Sequence, residues 1–359
     1  MTKHFLKAFL FLVIYSVTVS SGYAKLPSDW PKNGVLVLPD MGSTPILNAI
    51  RSAQVSIDVA LYHLDDPAAI DALIDAKQRG VNVRVILHKP HLYPEPFKNS
   101  INEETSEKLK KHGITTHFLK DFYYTLTHYK VMIIDNDYAL IQTFNFDDFN
   151  FNKARNFALT LQNKEQVEAL QQIFDNDYRG QSAENDEEVQ RLRDDLKIIL
   201  GPRQQRETFV GFLRTAKKSV YIYQQDLSDP EIGQVLVDLA KEGKKVHVLM
   251  VPVPFGGIDH NRINQTLIQG AGGQFRFKPK SELYIHAKVA LIDPEGEGQV
   301  YIGSCNFWPE ALSRNREIGV ISDNPSHIEA VFTIFKKDWQ SSLGYEEAFE
   351  KQNKTSKKS

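Results

Sequence analysis

Eight residues, HYKVMIID, run from His128 to Asp135, and the chain returns to the same spelling, HAKVALID, from His286 to Asp293. Histidine, lysine and aspartate keep identical spacing around an apolar run. Such a repeat constrains the fold strongly, because two halves on one plan each need a core and can share whatever their repeated polar residues serve. The repetition extends well past these octads. Residues 53–67, AQVSIDVALYHLDDP, align without gaps on 216–230, AKKSVYIYQQDLSDP, with alanine, serine, leucine, aspartate and proline coinciding.

Both of these segments alternate apolar residues, as a strand does. AAIDALIDAKQRGVNVRVILHKP and EIGQVLVDLAKEGKKVHVLMVP follow. Each reads as an amphipathic helix closed by glycine (Gly80, Gly243), then a β-branched strand ending near proline. Strand, helix and strand in that order predict a crossover in a parallel or mixed sheet. A chain of 359 residues is long enough for two domains or one duplicated unit, each with a sizeable core. The expected halves are 25–185 and 201–345. The charged stretch GQSAENDEEVQRLRDDLK leads to a solvated linker helix at 186–200, and residues 346–359 make a disordered basic tail. With both halves in one chain, a monomer is expected.

The first 24 residues have a different character. Lys3 and Lys7 precede an apolar run, and Gly22 and Ala24 flank Tyr23. This is the layout of a secretory signal cleaved near Ala24, which predicts an exported protein, periplasmic or secreted. Cleavage removes two lysines and no acid, taking the formal charge from −2 to −4. That balance counts mildly against a nucleic-acid binder, which usually carries a basic stripe. Cys305 is the single cysteine, so no internal disulfide forms, and a core of this size does not need one. His88 and His91 stand close in LHKPHLYPEPF with no third ligand type nearby, so a polar loop is expected there and no metal.

In each octad the histidine and lysine are two residues apart, so both point to one face of a strand. Such a pair can hold a phosphate: the lysine supplies fixed positive charge, and the imidazole a nucleophile or a transferable proton. If the halves pack about a pseudo-twofold axis, His128, Lys130, His286 and Lys288 meet in one cleft, with two histidines for two roles. Asp135 and Asp293 follow four apolar residues, at the far end of the strand, where a structural and a catalytic role are equally open. IQTFNF (141–146) and IGSCNF (302–307) also correspond. They pair Thr143 with Ser304 and Asn145 with Asn306, offering hydroxyls and amides to phosphoryl oxygens. Eleven residues after each asparagine come Asn156 and Glu317.

The pattern HxKxxxxD, then GSxN and an acidic residue, resembles the phospholipase D superfamily, and the resemblance spans nearly all of the chain after residue 24. It implies an α/β fold, a duplicated pair of α/β/α sandwiches with mixed β-sheets, and a site at their interface. It also implies metal- and cofactor-free phosphodiester cleavage through a covalent phosphohistidine. Carried over, His128, Lys130, Asn145, His286, Lys288, Ser304 and Asn306 line that site. The first copy departs from the pattern at Gln142 and Thr143, and at Asn156 where the second copy has Glu317. A hydrogen bond from His286 to Glu317 would favour the imidazolium and a general-acid role. His128, with no carboxylate unless Asp147 or Asp148 substitutes, would be the neutral nucleophile.

The superfamily includes phospholipases, lipid synthases and endonucleases, among which a shared fold does not choose. Aromatics crowd the first motif, in DFYYTLTH and at Phe144, Phe146, Phe149 and Phe151, and Phe307 and Trp308 follow the second. Exposed rings there suit a membrane surface, while Phe146 and Phe307, at equivalent repeat positions, are expected in the core. The expectation is therefore a secreted enzyme hydrolysing phospholipid head groups to phosphatidic acid. The alternatives are a metal-independent endonuclease, whose bases the rings would stack on beside a rim at Lys278 and Lys280, and a cardiolipin synthase-like phosphatidyltransferase.

Overall fold

A computed structural model describes residues 26–89, 101–119, 124–181, 185–254 and 259–356. The expected signal segment, with its cleavage point, and His91 lie outside the described residues. The first half supplies β1 (Val35–Leu38), β2 (Ser56–Leu61), β3 (Asn82–Leu87), β4 (Thr116–Phe118), β5 (Val131–Ile134), β6 (Tyr138–Gln142) and β7 (Ala154–Leu161). The second supplies β8 (Ile198–Leu200), β9 (Ser219–Tyr223), β10 (Lys245–Met250), β11 (Gln274–Phe277), β12 (Tyr284–Ile285), β13 (Val289–Ile292), β14 (Gln299–Gly303) and β15 (Ile318–Ser322).

Among the described residues the strands form two mixed sheets, ordered β1-β7-β6-β5-β2-β3-β4 and β8-β15-β14-β13-β9-β10-β11. The orders match strand for strand, as a duplication requires. In each, the expected crossover joins parallel neighbours, β2 to β3 and β9 to β10. The motif strand runs antiparallel beside it. β12 breaks the division between halves by pairing with β7 of the first sheet.

The crossover helices form where the sequence places them, for local reasons. In Pro67–Gln78 and Pro230–Lys241 proline opens the first turn, where its missing N–H costs nothing. The preceding Asp66 and Asp229 cap free amides, those of Ala69 in one copy and of Glu231 and Ile232 in the other. Gly80 and Gly243 end the two segments at φ of 93° and 80°, a conformation that a β-carbon resists.

VMII and VALI are apolar throughout because both faces of their strands are covered. Val131, Ile133, Val289 and Leu291 enter a core shared by the two halves. That core also takes residues of the helices Lys164–Tyr178 and Pro325–Gln340. Met132 and Ile134 face a separate core in the first half, and Ala290 and Ile292 one in the second. The site therefore sits on strands fixed from both sides.

Two expectations about connecting segments are corrected. The stretch 186–200 is not one solvated helix: the helix Asp186–Asp194 buries Val189 and Leu192. Residues 198–200, three apolar residues in a row, extend the second sheet as β8 beside β15. The basic tail is ordered through Ser356 as the helix Tyr345–Ser356. Ala348 is buried, and Tyr345 packs edge-on against Phe277 at 5.2 Å between ring centres. Residues 357–359 lie outside the described residues.

Asp135 and Asp293 end their strands in left-handed conformations, at φ of 54° and 47°. The Asp135 carboxylate accepts the backbone N–H groups of Gln54, Val55 and Ser56, and that of Asp293 those of Lys217, Lys218 and Ser219. Each aspartate thus ties the motif strand to the entry of β2 or β9, a structural role. Burial pushes the Asp293 carboxyl up, but the three amides outweigh it and hold it below the usual range. Because the folded value is the lower, this stability is present at neutral pH and is lost as pH falls below about 4. Asp293→Ala is expected to lower unfolding free energy by about 1–3 kcal/mol at pH 7, with the difference narrowing as acid protonates the wild-type carboxylate. Urea unfolding at neutral and at acid pH measures it.

Candidate active site

His128 lies in an extended segment just before β5. Its backbone N–H and that of Tyr129 both donate to the carbonyl of Arg316, at 2.9 Å. The second copy repeats the arrangement in the opposite sense, with the N–H groups of His286 and Ala287 donating to the carbonyl of Arg155. Each motif histidine is therefore laid against the strand entry of the other half. The residue after each arginine then supplies the partner of the imidazole.

This crossing overturns the expected pairing. His128 Nδ1–H donates to Glu317, at 2.8 Å to Oε1 and 3.0 Å to Oε2. His286 Nδ1–H donates to Asn156 Oδ1 at 2.9 Å. A reading along each half pairs His286 with Glu317, but the backbone bonds to Arg316 and Arg155 exchange the partners. Asp147 does not stand in for a carboxylate: it caps the short helix Asp148–Asn152 and bonds Asn150. Asp148 is exposed.

Ser304 and Thr143 are corrected too. Both are fully buried, and their hydroxyls donate to Glu317 and to Asn156 Oδ1 (2.8 Å). They orient the partners of the histidines rather than a phosphoryl oxygen. Asn145 and Asn306 stand at equivalent places in the two halves. Both are buried, and each has an Oδ1 without a partner among the described residues. An orphaned buried amide costs free energy unless something else meets it.

The lysine ammonium groups are sequestered. Lys130 and Lys288 are fully buried, and each donates to the carbonyl of its neighbouring motif histidine. Lys288 also donates to Gln225 Oε1 at 3.0 Å. At the equivalent place in the first half, the ring of Tyr62 covers Lys130 at 5.6 Å.

Burial pulls Lys130 down to about 7, against the pull of Glu317 and Asp147. Burial also drives Lys288 well below its usual range, with Lys130 adding to the effect. His128 falls to about 4, through burial first, opposed by Glu317 and assisted by Lys130 and Lys288. His286 is driven far down by burial and then by Lys288, Lys130 and His128. The four side chains thus influence one another, and the site favours an anion that offsets crowded positive charge.

Of the aromatic residues around the motifs, Phe144, Phe146, Phe151 and Phe307 are buried, with Phe146 and Phe307 in the core as expected. Phe149 is exposed and meets Tyr284 edge-on at 5.1 Å; Tyr284 in turn lies 6.4 Å from the His286 ring. Phe122 and Tyr123 lie outside the described residues. Lys278 and Lys280 do not form a basic rim: Lys278 is buried against Ser341, and Lys280 donates to the Pro254 carbonyl.

His88 is buried and its Nδ1 accepts the Thr127 amide. One grouping among the described residues has potential metal-ligand geometry: His63, Asp65 and Asp147 bring donor atoms within 4.8 Å of one another. Sequence reading missed it, along with Tyr62, Gln225, Arg155 and Arg316. For the arginines a signal exists, since each directly precedes the residue that partners a histidine.

The family model described as "Cardiolipin synthase, PLD-like domain" matches residues 46–178 and 209–339. No curated protein matches the chain in sequence. Among solved structures, phosphatidylserine synthase of Haemophilus influenzae is similar with a TM-score of 0.67 at 13% identity, over 88% of this chain and 88% of that one. Polyphosphate kinase of Porphyromonas gingivalis gives 0.62 at 15% identity, over 84% of this chain and 49% of the kinase, so the chain spans about half the kinase's length. Nuc of Salmonella typhimurium, a phospholipase D family member, is 25% identical over 41% of this chain and 93% of Nuc, with a TM-score of 0.36. With the family model matching both halves and two complete motifs meeting between matching sheets, this chain belongs to the phospholipase D superfamily.

Proposed function

We propose that this protein cleaves the phosphodiester of a phospholipid through a phosphohistidine and passes the phosphatidyl group to water, releasing phosphatidic acid. The observation that carries the reading is the unequal partnering of the two histidines. Both donate Nδ1–H, so Nε2 is the reactive nitrogen on each ring. The Glu317 carboxylate behind His128 enriches its Nε2 and faces the positive charge the ring gains on bonding phosphorus. Asn156 orients His286 without adding charge, which leaves that ring free to give up a proton.

In the first step His128 Nε2 attacks phosphorus, the bond to the head-group oxygen breaks, and His286 Nε2–H protonates that oxygen. His286 needs its proton at this stage. An anionic diester beside it offsets the lysine charges and raises its proton affinity. Water then attacks phosphorus, His286 takes the water proton, and the phosphorus–nitrogen bond breaks. Lys130, Lys288 and the amides of Asn145 and Asn306 donate to the non-bridging oxygens as charge develops there.

The exposed Phe149 against Tyr284 supports a lipid substrate, since such a ledge suits acyl or interfacial contact. Export before action remains part of the proposal and rests on residues 1–24. The test is purified protein in EDTA, assayed in parallel on mixed phospholipid vesicles and on plasmid DNA with His128→Ala as control. Head-group release that the variant loses supports the reading. Nicking of DNA without lipid turnover overturns it in favour of a nuclease, and turnover that appears only with an added alcohol acceptor favours a transferase.

Asn156→Glu gives His286 a carboxylate partner and raises its proton affinity. Because the general acid works protonated, the fall of kcat on the alkaline side is expected to move up by about 1–2 pH units. A pH–rate profile at saturating substrate reads it, and an unmoved alkaline limb removes His286 from the acid role.

A further inference from the structure

Arg155 and Arg316 are almost fully buried, and each does two things at once. Its carbonyl holds the backbone of the opposite half's histidine, as described above. Its guanidinium forms a two-pronged bond to a buried aspartate on a helix of that same opposite half. Arg316 grips Asp177 of helix Lys164–Tyr178 at 3.0 and 2.9 Å. Arg155 grips Asp338 of helix Pro325–Gln340 at 2.7 and 3.0 Å. Arg155 also bonds Asp40 and the Leu38 carbonyl, and Tyr223 donates to Asp338 at 2.7 Å. Paired forks of this kind fix direction as well as distance.

We infer that these crossed arginine–aspartate pairs are positioning devices, one per histidine: Asp177–Arg316 sets the His128–Glu317 contact, and Asp338–Arg155 sets the His286–Asn156 contact. The duplication supplies two such clamps because each histidine takes its partner from the other half. General structural support would instead tie either pair to both histidines alike. The inference rests on the two-histidine reading only for its kinetic consequence.

The test replaces one clamp at a time in the full chain, with Asp177→Asn and Asp338→Asn. Asparagine keeps the volume but can accept only one prong of the fork. Nitrogen-15 NMR of histidine-labelled protein reads the Nδ1 and Nε2 signals of both rings, assigned with His128→Ala and His286→Ala, and needs no turnover. The expected result is that Asp177→Asn moves the His128 signals well beyond those of His286, and Asp338→Asn those of His286 well beyond those of His128. Signals of both rings moving by similar amounts in both variants, or neither moving, overturns the inference. Should an asparagine variant fail to fold, Arg316→Lys and Arg155→Lys loosen the same clamps more gently and are read against the same outcomes.

Kinetics then separate this inference from the functional reading. Asp177→Asn is expected to slow cleavage of both alkyl and p-nitrophenyl phosphodiesters by about 10- to 100-fold. In a single turnover, Asp338→Asn is expected to slow the first cleavage step of the alkyl ester only, whose leaving group needs the proton, and to leave the p-nitrophenolate burst fast while its later release slows. With the NMR correspondence intact, the reverse kinetic pattern overturns the assignment of roles and leaves the clamps standing. Equal slowing of both esters by both variants, without the NMR correspondence, overturns the clamps.

Discussion

Replacing His128 with alanine is expected to abolish covalent labelling of the protein by phosphodiester substrate and to lower turnover by about 10⁴-fold or more. The effect is large because no neighbouring group can take its place. His286 has only the neutral Asn156 amide behind its Nδ1, with no carboxylate to support charge on the ring, and its basicity is depressed by burial first and then by Lys288, Lys130 and His128 itself. The lysines already donate to backbone carbonyls. Rapid acid-labile labelling in wild type that is absent in His128→Ala, detected by mass spectrometry, carries the assignment. Persistent labelling on His286 in the variant would falsify it and exchange the two roles.

His286→Ala carries the second large effect, and its signature depends on the substrate. Loss of the general acid is expected to slow cleavage of an alkyl diester by about 10²–10⁴-fold. A p-nitrophenyl diester, whose leaving group departs without a proton, should still phosphorylate His128. Water then lacks a base to activate it, so the intermediate should accumulate, with a burst of one p-nitrophenolate per protein followed by slow release. Single-turnover kinetics on the two esters separate the steps. Equal loss on both esters with no burst would remove His286 from proton transfer.

Much of the fold was legible in the repeat. Strand alternation, the aspartate–proline entries and the glycine exits are local chemistry, and local chemistry acts the same way in both copies. Residues 198–200 and 346–356 were misread because their order comes from distant partners: β15 receives β8, and the helix Tyr345–Ser356 is anchored where Tyr345 meets Phe277. Nothing in the charged residues around them announces those partners.

For the site, the residue types that could carry the chemistry were readable, since histidine, lysine and asparagine recur at fixed spacing in a duplicated chain. Spacing along one copy could not say that Glu317 serves His128, which is 189 positions away. That pairing exists because the halves lay their strand entries across each other, through the Arg316 and Arg155 carbonyls. The same contact turned Ser304 and Thr143 from candidate phosphate donors into supports for Glu317 and Asn156. Asp135 and Asp293 were equally open until the amides at 54–56 and 217–219 were seen to surround them. Sequence alone therefore established the duplicated fold and singled out the candidate groups, because periodicity and repeat spacing are local properties of a chain. The assignment of a partner to each histidine belongs to the folded state, because it depends on which half each backbone carbonyl meets.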